Sequence, residues 1–193
     1  AAVALPLEFV YLSTELTRRR VEHEFVDCWA RHCSLDDVRE QILRADIVVV
    51  CSSPSYLFWR DGVVNIRFVT RSLQSIKAIN PAARTILIGP HGTVMPESFN
   101  GSGADYIFKG EPDLIVPELI DKLRAGSSDG DALPGVVRQR DGNFESVPGG
   151  VQVANLDALA PIDLSHFRIA DYTHPPAYGP VPAGKLAMLY ETS

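Results

Sequence analysis

Three short segments rich in glycine, proline and hydroxyl side chains each follow a run that predicts a buried strand. Small residues let a large ligand approach the backbone, and hydroxyl and peptide N–H groups supply hydrogen bonds to amides or phosphate. Each segment alone could be ordinary turn chemistry, but three of them at one sheet edge favour a composite binding floor. The segments are Ser52-Ser53-Pro54-Ser55-Tyr56, Gly89-Pro90-His91-Gly92-Thr93 and Lys109-Gly110-Glu111-Pro112.

Motifs for other chemistry are missing from the sequence. Neither G-x-G-x-x-G nor G-x-x-x-x-G-K-[ST] occurs, so neither a dinucleotide nor a nucleoside triphosphate is indicated. Cys28, Cys33 and Cys51 are unevenly spaced, which favours structural thiols over a disulfide framework or a zinc site. No Ser-His-Asp arrangement can be assembled. The three loops therefore predict a site for another large ligand.

Alternating strand and helix patterns must position these loops. Continuous apolar runs predict strands at 47–50, 85–88 and 105–108, the first of them central, and a shorter run predicts a strand at 24–28. Helical spacing predicts helices at 7–20, 34–45, 66–80, 96–100 and 114–123, the second with Ser34 as N-cap and Asp37 as its capping-box partner. The alternation predicts an α/β fold with a doubly wound, Rossmann- or flavodoxin-like parallel sheet, whose ligands bind beyond the carboxyl ends of the strands.

The composition changes after Gly126. Residues 127–130 are typical of a linker, and strands at 135–140 and 144–147 flank an Asp141-Gly142-Asn143 turn, which predicts a small hairpin. A proline-rich connector and a strand at 185–190 follow. We therefore divide the chain into a domain at 1–126, a hairpin and connector at 127–184, and a final strand at 185–193. Doubly wound units normally begin with a strand, so we expect the first strand to precede Ala1.

Charge and hydropathy exclude some partners. The net charge of -6 argues against a nucleic-acid partner, and the triple Arg18-Arg19-Arg20 is best explained as charge that complements the end of a helix. No apolar run approaches the roughly 20 residues that span a bilayer, and the first residues do not resemble a secretory signal. A cytoplasmic location without membrane contact is expected.

Several segments, in their order and spacing, resemble the radical S-adenosylmethionine enzymes that carry an N-terminal cobalamin-binding domain. The ending Leu-Tyr-Glu-Thr-Ser resembles the first strand of that family's catalytic barrel. The other matching stretches are 6–12, Ile-Gly-Pro-His-Gly-Thr at 88–93, Ala-Asp-Tyr-Ile-Phe-Lys-Gly-Glu-Pro at 104–112, 133–136, and 155–161.

The resemblance implies cobalamin over the three loops. It also implies S-adenosylmethionine and a [4Fe–4S] cluster held by a C-x-x-x-C-x-x-C motif expected after Ser193, so that no metal ligand is expected within this chain. A small-molecule or peptide substrate and an electron-donor protein are further implications. The implied cobalamin contacts are Ser52, Ser53, Pro54, Ser55, Tyr56, Trp59, Gly89, Pro90, His91, Gly92, Thr93, Gly110, Glu111 and Pro112.

The cobalt of such a cofactor needs a group, or an excluded space, on its lower face. The D-x-H-x-x-G signature of histidine-ligated cobalamin domains is missing here. Arg60, in the run that follows the first buried strand, is our candidate, because a guanidinium does not readily lose its proton to become a ligand. Tyr56 and Trp59 are alternatives, His91 is a weaker one, and simple packing of this run explains it equally well.

In the methyltransferases of this family, cobalamin moves a methyl group from S-adenosylmethionine to a substrate. The arginine after an aromatic run resembles the tryptophan C-methyltransferases of thiopeptide biosynthesis, which implies methylation of an unreactive carbon, such as C2 of tryptophan, in natural-product biosynthesis. Members that form rings also exist. Two rivals remain: a cobalamin carrier or sensor without catalysis, and a flavodoxin-like module that binds another nucleotide cofactor.

Overall fold

Four strands form one mixed sheet in the computed structural model, which describes residues 5–52, 66–127, 133–144 and 150–172. The strand order follows the chain, with the first three strands parallel and the fourth antiparallel to the third. Ile47 pairs with Arg84 and Cys51 with Ile88, so the first two strands end level with each other. The strands are β1 (Ile47–Cys51), β2 (Arg84–Ile88), β3 (Tyr106–Phe108) and β4 (Val136–Arg138).

Helices connect and cover these strands. The α-helices are α1 (Leu7–Arg18), α2 (Arg39–Arg44), α3 (Ile66–Ile79), α4 (Pro90–Val94) and α5 (Ile115–Arg124). Short 3-10 helices follow at Pro96–Phe99, Leu156–Ala158 and Ile169–Tyr172. Among the described helices, none is long and apolar enough to cross a membrane.

The two faces of the sheet bury different helices because successive side chains of a strand point to opposite faces. Ile86 and Ile88 of β2 pack in one apolar cluster with residues of α1 and α5. Leu87, between them, packs in a second cluster with Leu73 of α3. All three β2 side chains are fully buried, so helices on both sides of the sheet make this a doubly wound core.

Most of the predicted elements are confirmed. The strands predicted at 47–50, 85–88 and 105–108 are β1, β2 and β3, and the helices predicted at 66–80 and 114–123 are α3 and α5. The N-terminal helix ends at Arg18, where Arg18 and Arg19 pair with the buried carboxylate of Glu15. The predicted strand at 185–190 lies outside the described residues.

The strand predicted at 24–28 is wrong. These residues pair with none of the described strands, and Asp27 instead begins a single helical turn by accepting the N–H groups of Trp29 and Ala30. The second helix is also shorter than predicted. The capping contact between Ser34 and Asp37 is present, but it closes a turn and α2 begins only at Arg39.

The sheet differs from the predicted one in two ways. β1 is an edge strand among the described strands, and its side chains are only partly buried, whereas β2 occupies an interior position. The strand predicted as the first half of a hairpin is β4, which pairs with β3 and makes the sheet mixed. Its turn at Asp141 to Asn143 is present, since Arg140 and Asn143 exchange backbone hydrogen bonds.

The connector at 150–172 covers the outer side of α1. Phe167 and Tyr172 pack in one cluster with Val10 of α1. The ring of His166 stacks on His23 with centroids 4.0 Å apart. Burial lowers the pKa of His23. The connector therefore belongs to the folded core. Its weak periodicity and frequent prolines gave no indication of this packing.

Polar side chains close the amino ends of the strands, which we call the amino edge. Asp105, just before β3, accepts hydrogen bonds from the Lys77 ammonium at 2.7 Å and from the Thr85 N–H at 2.8 Å. Asn80 donates to the carbonyls of Ile42 and Ala45 and so ties the end of α3 to the end of α2. These contacts join the helices to the first residues of the strands.

Candidate functional site at the carboxyl edge of the sheet

The carboxyl ends of β1, β2 and β3 bring the predicted loops side by side, because parallel strands all end at the same edge. Ser52 follows β1, and its N–H donates to Ile88 O, the last carbonyl of β2, at 2.9 Å. Gly89 follows β2 directly, and Gly110 lies two residues after the end of β3. We call this region the carboxyl edge.

Side-chain hydrogen bonds link the first two loops. The N–H of His91 donates to Ser52 Oγ at 3.2 Å, and His91 Nδ1 lies 3.2 Å from the carbonyl oxygen of Ser52. Because a carbonyl can only accept, Nδ1 carries the proton and Nε2 is the unprotonated nitrogen of the neutral ring. The imidazole is therefore held at a fixed orientation against the end of β1.

Thr93 links the second loop to the third. Its hydroxyl donates to Gly89 O at 3.0 Å and accepts the N–H of Gly110 at 3.0 Å. The second predicted loop forms the one-turn helix α4. Ser52, His91, Thr93 and Gly110 thus form one connected hydrogen-bonded edge, so the second and third loops meet each other and the end of β1 as predicted.

The glycines of this edge are required by the protein's own packing. Gly89 has φ +100°, and a Cβ there would lie 2.8 Å from Ser52 Oγ. A Cβ on Gly92 would lie 2.8 Å from the Ile107 side chain. A Cβ on Gly110, at φ +113°, would clash with the Val151 backbone. The protein's own packing therefore requires these glycines, a reason that the sequence argument, based on the approach of a ligand, did not include.

The connector covers part of the third loop. Val151 donates its N–H to Lys109 O at 3.0 Å and accepts the N–H of Glu111 at 2.8 Å. The Glu111 carboxylate accepts the N–H of Val153. Sequence reasoning missed this contact because no local signal relates residues some 40 positions apart. Glu111 remains exposed, while Pro112 is buried.

An apolar surface lies beside the hydrogen-bonded edge. Val94, at the end of α4, is 72% exposed, Met95 is 38% exposed, and Pro90 at the start of the helix is also exposed. We call these three residues the apolar ledge. They adjoin His91 and Thr93, so the edge offers apolar contact next to polar backbone and ring groups. The sequence did not single out Val94 or Met95, because exposure depends on the fold.

A buried carboxyl group lies next to the third loop. Asp113 is 9% exposed, and burial raises its pKa to about 6. Its own backbone N–H lowers the pKa somewhat, while the negative charges of Glu111 and of Glu8 in α1 raise it further. The carboxyl edge therefore holds a group that changes its protonation near neutral pH, which sequence reasoning did not find.

Ser53, Pro54, Ser55, Tyr56, Trp59 and Arg60 lie outside the described residues. Within the described ranges, no group of three or more His, Cys, Asp or Glu side chains could hold a metal ion. His23 lies in the contact between α1 and the connector, where it stacks on His166 and is hydrogen-bonded to Ser13.

Solved structures share this architecture. TsrM from Kitasatospora setae, a radical S-adenosylmethionine methyltransferase solved with tryptophan and a SAM analogue, superposes on 74% of this chain with a TM-score of 0.61 and 21% identity. A second TsrM structure, with cobalamin and a [4Fe-4S] cluster bound, superposes on 84% with a TM-score of 0.62 and 20% identity. The chain has the fold of this part of TsrM. The predicted α/β fold class is confirmed.

A curated relative is similar in sequence. The anaerobic magnesium-protoporphyrin IX monomethyl ester cyclase of Rubrivivax gelatinosus is 29% identical over 144 residues, 71% of this chain. No family model matches the chain. The chain spans only 24% of the cyclase and 27% to 29% of TsrM. These findings support the resemblance that the sequence showed to radical S-adenosylmethionine enzymes with a cobalamin-binding domain.

Proposed function

We propose that the carboxyl edge binds cobalamin and that the chain is the cobalamin-binding part of a radical S-adenosylmethionine enzyme. The observation that carries this proposal is the hydrogen-bonded edge formed by Ser52, His91, Thr93 and Gly110 beside an exposed apolar ledge. It lies on the same fold as a part of TsrM, which has been solved with cobalamin bound.

The described residues fit a large macrocycle with amide side chains. The apolar ledge offers an open surface for a ring system, and buried apolar area is the main source of affinity for such ligands. Backbone and imidazole groups next to the ledge are suited to amide hydrogen bonds. When bound, cobalamin supplies a cobalt centre able to accept and donate a methyl group.

The chain's own residues hold the edge in one shape. His91 is fixed by Ser52, and Thr93 fixes the start of the third loop through Gly110, so the edge is preorganised and loses little entropy on binding. Nε2 of His91 can accept a hydrogen bond. Arg60 remains our proposed group for the lower side of the ring, with Tyr56 and Trp59 as the alternatives.

For the whole enzyme we propose methyl transfer to an unreactive carbon, with C2 of tryptophan as the first substrate to test. The fold of TsrM, solved with tryptophan bound, supports this choice. A [4Fe–4S] cluster, S-adenosylmethionine, an electron-donor protein and a small-molecule or peptide substrate belong to the same proposal. Ring formation is the second candidate, because the cyclase is more similar in sequence than TsrM is.

Titration of the chain with hydroxocobalamin, followed by ultraviolet–visible absorption, tests the site. Val94→Arg replaces an exposed apolar side chain of the ledge with a bulky charge, so we expect binding to weaken about tenfold or more. Leu43→Arg is the matched control, since Leu43 is also exposed (45%) but lies in α2 near the amino edge. It should bind as the unmodified chain does.

Two results would count against the proposal. A folded chain that leaves the corrin bands unchanged binds another ligand, and flavin or nucleotide titration would then test the flavodoxin-like alternative. Equal weakening by Val94→Arg and Leu43→Arg would remove the ledge from the site. In the full-length enzyme, transfer of labelled methyl from S-adenosylmethionine distinguishes methylation from ring formation, and Arg60→Ala should shift the corrin bands if Arg60 lies below the cobalt.

A further inference from the structure

Residues 27 to 33 form one helical turn with a well-defined ending. Asp27 caps its start, and Arg31 N–H donates to Asp27 O at 3.0 Å. At its end, Cys33 N–H donates to Cys28 O at 2.9 Å and His32 N–H to Trp29 O at 3.3 Å, with His32 at φ 51°. This pair of bonds around a left-handed residue is the Schellman ending, which places the side chains of its first and last residues in contact.

Those first and last residues are Cys28 and Cys33. Both side chains are partly buried against the same apolar cluster, which contains Val38 of the following turn and Ile42 of α2. Cys33 also lies close enough to raise the pKa of the Cys28 thiol, which donates a hydrogen bond to Ser34 O at 3.9 Å. The turn therefore holds two thiols together, although the sequence offers no second cysteine pair that would complete a metal site or a disulfide framework.

We propose that Cys28 and Cys33 form a reversible intramolecular disulfide by exchange with a small-molecule disulfide. In the first step a thiolate at Cys33 attacks one sulfur of the reagent, which breaks its S–S bond, releases one thiolate and leaves a mixed disulfide. In the second step the Cys28 sulfur, as it loses its proton, attacks Cys33 Sγ. The second half of the reagent leaves as a thiol, so two protein thiols are oxidised and one disulfide is reduced to two thiols.

The surroundings assign the two roles. Burial, followed by the contact with Cys33, raises the pKa of the Cys28 thiol to about 12, so Cys28 is a poor attacking group while Cys33 is reduced. Part of this rise comes from Cys33 itself and is lost once Cys33 is capped. Cys33 is only partly buried and lies between His32 and Ser34, which are exposed, so a reagent can reach it. Cys33 is therefore the residue that attacks the reagent, and Cys28 resolves the mixed disulfide.

Incubation of the chain with oxidised glutathione, followed by thiol counting and mass spectrometry, tests the proposal. The three cysteines should fall to one titratable thiol, with a mass lower by two hydrogen atoms and no glutathione adduct. Cleavage by trypsin after Arg31 separates the two cysteines, so the disulfide should appear as peptides 21–31 and 32–39 joined together. Reduction should restore all three thiols.

Single substitutions separate the two steps. Cys28→Ser should keep a stable glutathione adduct on Cys33, and Cys33→Ser should react about tenfold or more slowly at Cys28. Cys51→Ser, the matched control, should form the joined peptides as the unmodified chain does. A lasting adduct in the unmodified chain, a disulfide that includes Cys51, or no reaction at Cys33 would each overturn the proposal.

Discussion

The two edges of the sheet are built from different kinds of contact. At the amino edge, the Asp105 carboxylate accepts from a lysine and from a backbone N–H, and Asn80 joins two helix ends. At the carboxyl edge, His91 and Thr93 bond to the backbone of the adjoining loops, and the neighbouring apolar side chains are exposed.

We interpret the amino edge as a part of the sheet that stabilises the fold and the carboxyl edge as a part suited to binding a ligand. Side chains of the amino edge have charged and polar partners within the protein, so removing one leaves others unsatisfied. The carboxyl edge instead keeps apolar surface in contact with water and a carboxyl group, Asp113, that burial makes unfavourable to ionise. Such features lower the stability of the fold and are common where a ligand binds. Substitutions at the two edges should therefore change the free energy of unfolding differently.

Asp105→Ala should have the largest effect on stability. It removes the acceptor of the Lys77 and Thr85 hydrogen bonds, and breaking such a charged contact costs about 3 kcal/mol of unfolding free energy. Asp36→Ala is the control, because Asp36 is 88% exposed and should cost less than about 0.5 kcal/mol. Urea unfolding measures both, and equal midpoints would mean that the amino edge contributes no special stability.

Gly110→Ala should be the next most harmful change. A methyl group there clashes with the Val151 backbone, so the third loop and the connector must separate, at a total cost of about 2 kcal/mol including backbone strain. Gly126→Ala provides the control, since Gly126 also has a positive φ of 71° but a Cβ would meet nothing within 4 Å. Gly110→Ala should unfold at a lower temperature than Gly126→Ala. Equal unfolding temperatures would show that backbone strain, and not the clash with Val151, causes the loss of stability.

Asp113→Asn should stabilise the chain at neutral pH, by the smallest of the three amounts. The pKa of Asp113 rises from 3.8 to about 6 on folding, so the folded state binds more protons and the carboxylate costs stability as pH rises through this window. The amide avoids that cost, which is at most about 3 kcal/mol. The gain over the unmodified chain should be small at pH 4, grow to about pH 6, and stay constant above pH 7.

Unfolding curves at several pH values measure this difference. Asp121→Asn is a suitable control, because the Asp121 side chain is 42% exposed and its hydrogen-bond partner is the Arg19 guanidinium. It should not gain stability as the pH rises. A constant effect of Asp113→Asn across the whole range would show that Asp113 is not held in its neutral form by burial.

The local sequence pattern predicted most of the helices and strands but not how all of them are arranged in space. The apolar run at 47–50 correctly predicted β1, and the spacing of Val69, Leu73 and Ile76 predicted α3. The same approach failed at 24–28, because five suitable side chains do not make a strand without a partner. It also placed β1 at the centre of the sheet, since strand order depends on contacts between distant segments.

The candidate site shows the same division. Glycines, a histidine and a threonine after adjacent parallel strands correctly predicted which loops meet, because that follows from strand direction alone. The sequence did not show why a glycine is required at each of these positions. Gly110 faces Val151, some 40 residues away, and only the path of the connector shows it.

The sequence by itself determined the alternation of strands and helices and the edge where the loops gather. These depend on hydrophobic periodicity and strand direction, which act over a few neighbouring residues. The tertiary structure alone decided the antiparallel position of β4, the stacking of His23 on His166, the burial of Asp113 and the exposure of Val94. Each of these depends on residues far apart in the chain, which a local pattern cannot specify.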